Sequence, residues 1–131
     1  MPGKSTASAS GKKLRDKVVE LAGKLGLNTR VEVRCARRIY GGMRVIDIVI
    51  SQPATGKVLG VECKYQETPG TAEQKIVATI QDIAFWPIPG IVVIDGPGFS
   101  EHMQGYLLST GKVVWLNELE DWLRLYFGVQ A

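Results

Sequence analysis

"VLGVECKYQ" (residues 58–66) decides how this chain is read. Val58, Leu59, Val61 and Tyr65 mark a buried β-strand. Within it stand Glu62 and Lys64, two charges that are costly to bury without partners. Side chains alternate between the faces of a strand. Leu59, Val61, Cys63 and Tyr65 therefore share the core face, with Cys63 as a small buried hydrophobe. Val58, Gly60, Glu62, Lys64 and Gln66 share the other face. Glu62 and Lys64 lie roughly 6.6 Å apart along the strand.

The strand before it repeats the anomaly. "RVIDIVIS" (44–51) is apolar on both faces, as a central strand is, yet holds Asp47 between β-branched residues. A buried carboxylate costs several kcal/mol unless it is paired or ligates a cation. "QPATGK" (52–57) is a turn, so the two strands form an antiparallel hairpin. The hairpin brings Asp47 close to Glu62, on the same face if the register permits. Two close carboxylates repel, and a divalent cation that accepts oxygens from both relieves the repulsion. Lys64 then lies beside the cation, where it balances charge or handles a water. The alternative for the same residues is a buried Asp47–Lys64 salt bridge with Glu62 turned to solvent.

Working outward, Leu14, Val18, Leu21, Ala22 and Leu25 form one apolar face and predict a helix over 11–25, stopped by Gly26. Val31, Val33 and Cys35 alternate in a strand near 29–36. After "ETPG" a second helix opens at Thr71, with Thr71 and Gln74 fitting a capping box and Ala72, Ile76, Ile80 and Ile83 as its stripe. "IVVID" (91–95) and "KVVWL" (112–116) are strands, and a short helix is expected at 101–109. "NELEDWLRLYFG" closes as a helix with Asn117 as N-cap, acidic residues in the first turn and Gly128 past its end. Trp115, Trp122, Leu123 and Phe127 read as core or dimer contacts. "DGPGF" (95–99) lacks the spacing of a phosphate-binding loop and reads as a turn. His102 reads as a surface residue.

Composition sets the limits. The chain has 131 residues, 45% apolar, which suits one domain over 11–131 with a core of its own. Residues 1–10 read as a flexible basic tail. No apolar run approaches the roughly 20 residues that span a bilayer, and "MPGKSTASASGKK" is not a secretory signal. Cys35 and Cys63 do not form a metal-ligand spacing and read as reduced thiols of a cytoplasmic protein. The net charge of +3 hides an asymmetry, +8 over residues 1–44 and −5 over 45–131. A basic first third, with the run "RCARRIYGGMR" (34–44), suits a polyanionic partner; a merely solvated basic surface is the other reading.

The pairing of "VID" (45–47) with "ECK" (62–64) resembles the PD-(D/E)xK nuclease superfamily, which includes restriction endonuclease-like and Holliday junction resolvase-like proteins. "ECKYQ" followed by "GTAEQKI" is similar to stretches in such members, and the order over 11–95 resembles their α-β-β-β-α-β core. Ile46 stands where the family has proline. The resemblance implies an α/β fold with a mixed central sheet flanked by helices, extended here by a C-terminal β-α unit. It implies Mg²⁺, with Mn²⁺ as a substitute, held by Asp47, Glu62 and the backbone carbonyl of Cys63. Lys64 would position or activate the attacking water. Gln66 would touch the water or the scissile phosphate. Glu20 matches a helix glutamate that reaches the metal in many members; a solvated helix charge is the other reading. The implied activity is a Mg²⁺-dependent DNA endonuclease, either restriction or homing-type or structure-selective like the junction resolvases. Lys12, Lys13, Arg34, Arg37, Arg38 and Arg44, with Lys75 on the second helix, would hold DNA. A homodimer would cut both strands, associated with the nucleoid through DNA. The rival is a DNA-binding or assembly module of the same fold that no longer cuts.

Overall fold

Five strands lie side by side in chain order in the computed structural model, which describes residues 2–37, 42–68, 72–99, 105 and 109–130, with side chains for 10–35, 42–68, 75–99, 105 and 109–130. They are β1 (Asn28–Arg37), β2 (Met43–Gln52), β3 (Lys57–Tyr65), β4 (Gly90–Asp95) and β5 (Val113–Trp115). β1, β2 and β3 run antiparallel in turn, while β3, β4 and β5 are parallel. The β2–β3 hairpin is the one expected, closed by a Gln52–Lys57 turn in which Gly56 takes a φ of 76° and donates its N–H to the Gln52 carbonyl at 2.9 Å. Helices α1 (Pro2–Lys24) and α3 (Leu119–Phe127) cover one face of the sheet. Helix α2 (Ala72–Ile83), the crossover between the parallel strands β3 and β4, covers the other. This is the mixed α/β architecture predicted, with the β-α extension.

The helix stripe read from the sequence docks α1: Leu14, Val18 and Ala22 are buried against Ile48, Ile50, Leu59 and Val61. The helix ends as Gly26 turns left-handed at φ 80° and the Leu27 N–H reaches back to the Ala22 carbonyl, which buries Leu27 in the same core. Its start differs from expectation. The helix begins at Pro2, not near residue 11, so residues 2–10 are helical backbone rather than tail. Proline suits a first helical position, and although the segment behind it is mostly Gly, Ser and Thr, each added residue extends a helix already nucleated by the packed turns that follow. One further expectation is corrected. Asn117 caps no helix; it lies in a 3₁₀ turn, Leu116–Glu118, that leads into α3. The strand expected near 29–36 is β1, an edge strand that only β2 pairs with, and its Val31 is 49% exposed. Thr71, the side chain of Gln74, His102 and most of the helix expected at 101–109 lie outside the described residues, and the capping box with them.

A buried clamp ties α2 to the sheet. Arg44, 6% exposed, donates from Nε and Nη2 to the Asp82 carboxylate at 3.0–3.2 Å. Asp82 also accepts from Trp86 Nε1 at 3.0 Å. The Trp86 ring lies across β3 and β4 where both strands carry glycine: a Cβ on Gly60 or Gly90 would stand 2.6 or 2.4 Å from it. Glycine inside a strand usually marks such a close approach. Gly60→Ala is expected to cost about 1–3 kcal/mol by overpacking. Gly23→Ala on α1, where nothing lies within 4 Å of the new methyl, is expected to gain about 0.5–1 kcal/mol. Urea denaturation of the two variants checks the opposite signs.

Candidate active site

The site grows from a break in strand alternation. Ile48 and Ile50 point to the α1 face of the sheet. Two residues back, Ile46 should join them, but it packs with Ile76 and Val92 on the α2 face. The strand therefore changes face across Asp47. The β2–β3 ladder stops at the pair Ile48–Val61, and continuing its register would set Asp47 opposite Glu62. Where the ladder stops, the carboxylates take over the amides. The Cys63 N–H donates to Asp47 Oδ2 at 2.9 Å, and the Asp47 N–H donates to Glu62 Oε1 at 3.1 Å. Each acid thus binds the backbone of the other's strand, which fixes both in the seam between β2 and β3.

This pairing is electrostatically loaded. The Glu62 carboxyl is pushed up to about 7, first by burial, then by the charge of Asp47 beside it; Lys64 pulls the other way. The Cys63 thiol is driven well above the usual range by burial and by both acids, which leaves it the inert hydrophobe expected. Lys64 forms no ion pair among the described residues, so the alternative Asp47–Lys64 salt bridge is not made.

Two hollows flank the seam on opposite sheet faces. One, about 370 Å³, is lined by Glu62 and Lys64 together with Lys75, Thr79, Asp82 and Trp86 from the α2 region. The other, about 640 Å³, is lined by Asp47, Cys63 and Lys64 with Lys12 and Arg15 of α1 and Glu32 of β1. Lys64 borders both.

The other expected site residues scatter. Gln66 lines neither hollow; it is buried, donating from Nε2 to the Gly98 carbonyl at 2.8 Å while the Gly98 N–H bonds its backbone. It anchors the loop after β4. Glu20 is exposed and outside both hollows, because α1 turns Lys12 and Arg15 toward the acids instead. Arg44 is sealed against Asp82 and cannot meet a phosphate backbone. Lys12 lines the α1-side hollow and Lys75 the α2-side one. Lys13 borders a separate recess with Lys17, Tyr65 and Asp95. Arg34 is exposed on β1. The side chains of Arg37 and Arg38 lie outside the described residues. Arg15 and Glu32 were missed, although Arg15 sits one helical turn beyond Lys12, a spacing that could have flagged it.

Among the described residues no three His, Cys, Asp or Glu side chains are grouped to hold a metal. The donor chemistry nonetheless fits Mg²⁺, which keeps several waters and is commonly bound by one or two carboxylates plus substrate phosphate. Two adjoining carboxyls, with Glu62 pushed up first by burial and then by the charge of Asp47, are what such a cation would relieve.

A PD-(D/E)XK nuclease superfamily domain profile matches residues 6–118, and the chain belongs to that superfamily. Its members are generally nucleases that use divalent metals. No curated protein matches the chain by sequence. Solved structures share the fold, two of them as follows. AF1548, a protein of unknown function, aligns with a TM-score of 0.55 at 19% identity over 77% of this chain and 54% of its own. VC1899 from Vibrio cholerae aligns with a TM-score of 0.55 at 10% identity over 88% of this chain and 32% of its own. The chain thus spans about half of one and a third of the other. Among the described residues no helix is long and apolar enough to cross a membrane.

Because the folded state holds the Glu62 proton more tightly than the unfolded chain, this group favours folding fully below pH 4.5, and its contribution is lost as pH rises toward 7. Glu62→Gln keeps the acceptor for the Asp47 N–H and removes the charge. It is expected to stabilise the metal-free protein by about 1–3 kcal/mol at pH 8 and by nothing measurable at pH 4. Urea denaturation in EDTA at both pH values checks this.

Proposed function

We propose that the chain is a Mg²⁺-dependent DNA endonuclease that hydrolyses phosphodiester bonds. The observation that carries the reading is the interlock of Asp47 and Glu62 in the β2–β3 seam, with Lys64 beside it and free of any ion pair among the described residues. Asp47 and Glu62, with the Cys63 carbonyl, would hold the cation. When bound, it supplies Lewis-acid polarisation of the phosphoryl oxygen and offsets charge on the leaving oxygen. Lys64 orients the water whose oxygen attacks phosphorus as the bond to the leaving oxygen breaks. Its ammonium also stabilises the negative charge that builds on the phosphate.

Lys12, Lys13, Arg34 and Lys75 would meet backbone phosphates, contacts that position DNA without reading its sequence. Cutting both strands is simplest with two copies about a two-fold axis, so a homodimer belongs to the proposal. Restriction or homing-type and junction-resolving enzymes share these parts; a four-way junction assayed beside a linear duplex separates them.

Plasmid nicking tests the proposal. The parent is expected to nick supercoiled DNA with Mg²⁺ or Mn²⁺ and not with EDTA. Asp47→Ala, Glu62→Ala and Lys64→Ala should each lose about 10²-fold or more. Equal nicking by Asp47→Ala and parent would mark a contaminant. DNA binding without metal-dependent nicking by the parent would favour the non-cutting module.

A further inference from the structure

The hollow on the α1 side holds a cation that the reaction as described does not use. Arg15 donates from Nη1 to Glu32 Oε1 at 3.0 Å, the guanidinium's one hydrogen bond among the described residues. Its Nε is buried and has no hydrogen-bond partner among the described residues. A buried donor left without an acceptor is costly, and a guanidinium presents paired N–H groups in a fork suited to a phosphate or carboxylate. Glu32 satisfies that fork only in part. The glutamate itself is 68% exposed, and a surface ion pair of this kind is weak and easily exchanged. Its backbone sits at φ 51°, a left-handed conformation uncommon for a residue with a side chain and frequent beside functional sites. Lys12, Lys64 and Asp47 line the same hollow, so the guanidinium faces the Asp47 side of the seam.

We propose that this hollow is a phosphodiester subsite. Arg15 receives a backbone phosphate of the nucleic-acid strand next to the scissile bond, and the Glu32 carboxylate stands in for that phosphate until the strand arrives. Binding exchanges a single-bonded surface carboxylate for a phosphate that uses the Nε side of the fork. The inference rests on the nuclease reading, since it takes a nucleic-acid strand as the substrate.

The test is binding of fluorescent duplex DNA to the full chain in EDTA, followed by anisotropy over a series of salt concentrations. Glu32→Gln is expected to bind about threefold to tenfold more tightly at fixed salt, since a competing anion is gone. Arg15→Gln should bind about tenfold more weakly and lower the log–log salt slope by about one. Arg15→Lys should keep the slope of the parent while losing affinity, because it keeps the charge and not the fork. The variant carrying both Glu32→Gln and Arg15→Gln should match Arg15→Gln alone. Unchanged binding by Glu32→Gln, with or without a loss of thermal stability, would show a plain staple between α1 and β1 and overturn the proposal. An unchanged salt slope in Arg15→Gln would overturn it too. If the parent nicks DNA while these variants bind like it, the subsite fails and the nuclease reading stands; if the parent binds no DNA, both fail.

Discussion

Two half-buried carboxylates that each accept the backbone N–H of the other's strand are the constraint around which this molecule is built. An antiparallel ladder normally satisfies its own amides. Here it stops at Ile48–Val61, and the side chains of Asp47 and Glu62 complete the pairing instead. Breaking either bond would leave a buried amide without a partner as well as a loose acid. Fold and site are therefore one structure. The same bonds that close the sheet at this end hold two mutually repelling carboxyls side by side in the seam, Glu62 bordering the α2-side hollow and Asp47 the α1-side one.

The surroundings keep that pair rigid. Leu14, Val18 and Ala22 press α1 onto one sheet face. On the other, the Arg44–Asp82–Trp86 clamp holds α2 against strands thinned by Gly60 and Gly90. The outcome is a seam with a hollow on each side and Lys64 between them.

Much of this was legible in the sequence because it rests on local pattern. Period-two alternation exposes Glu62 and Lys64 as misfits in an apolar strand, and a short turn forces Asp47 toward them. What the sequence hid depends on distant partners. Arg44 sits in an arginine-rich run and resembles a surface cation, yet its partner Asp82 lies 38 residues on and buries it. Gln66 continues the face of Glu62 and Lys64, but β3 ends at Tyr65 and the Gly98 carbonyl draws its amide inward. Glu20 is placed by the helix period on a flank, and only packing reveals that Lys12 and Arg15 take the site-facing positions. The change of strand face at Asp47 has no periodic signal, since it breaks the period by which strands are read.

Metal binding tests the central claim most directly. Titration of Mn²⁺ followed by electron paramagnetic resonance, with the parent, Asp47→Asn, Glu62→Gln and the variant carrying both, asks whether the two carboxyls serve one ion. Each single change should weaken Mn²⁺ binding strongly, and combining them should add little. Two carboxylates acting independently, with Glu62→Gln binding Mn²⁺ like the parent or the two losses simply adding, would contradict it.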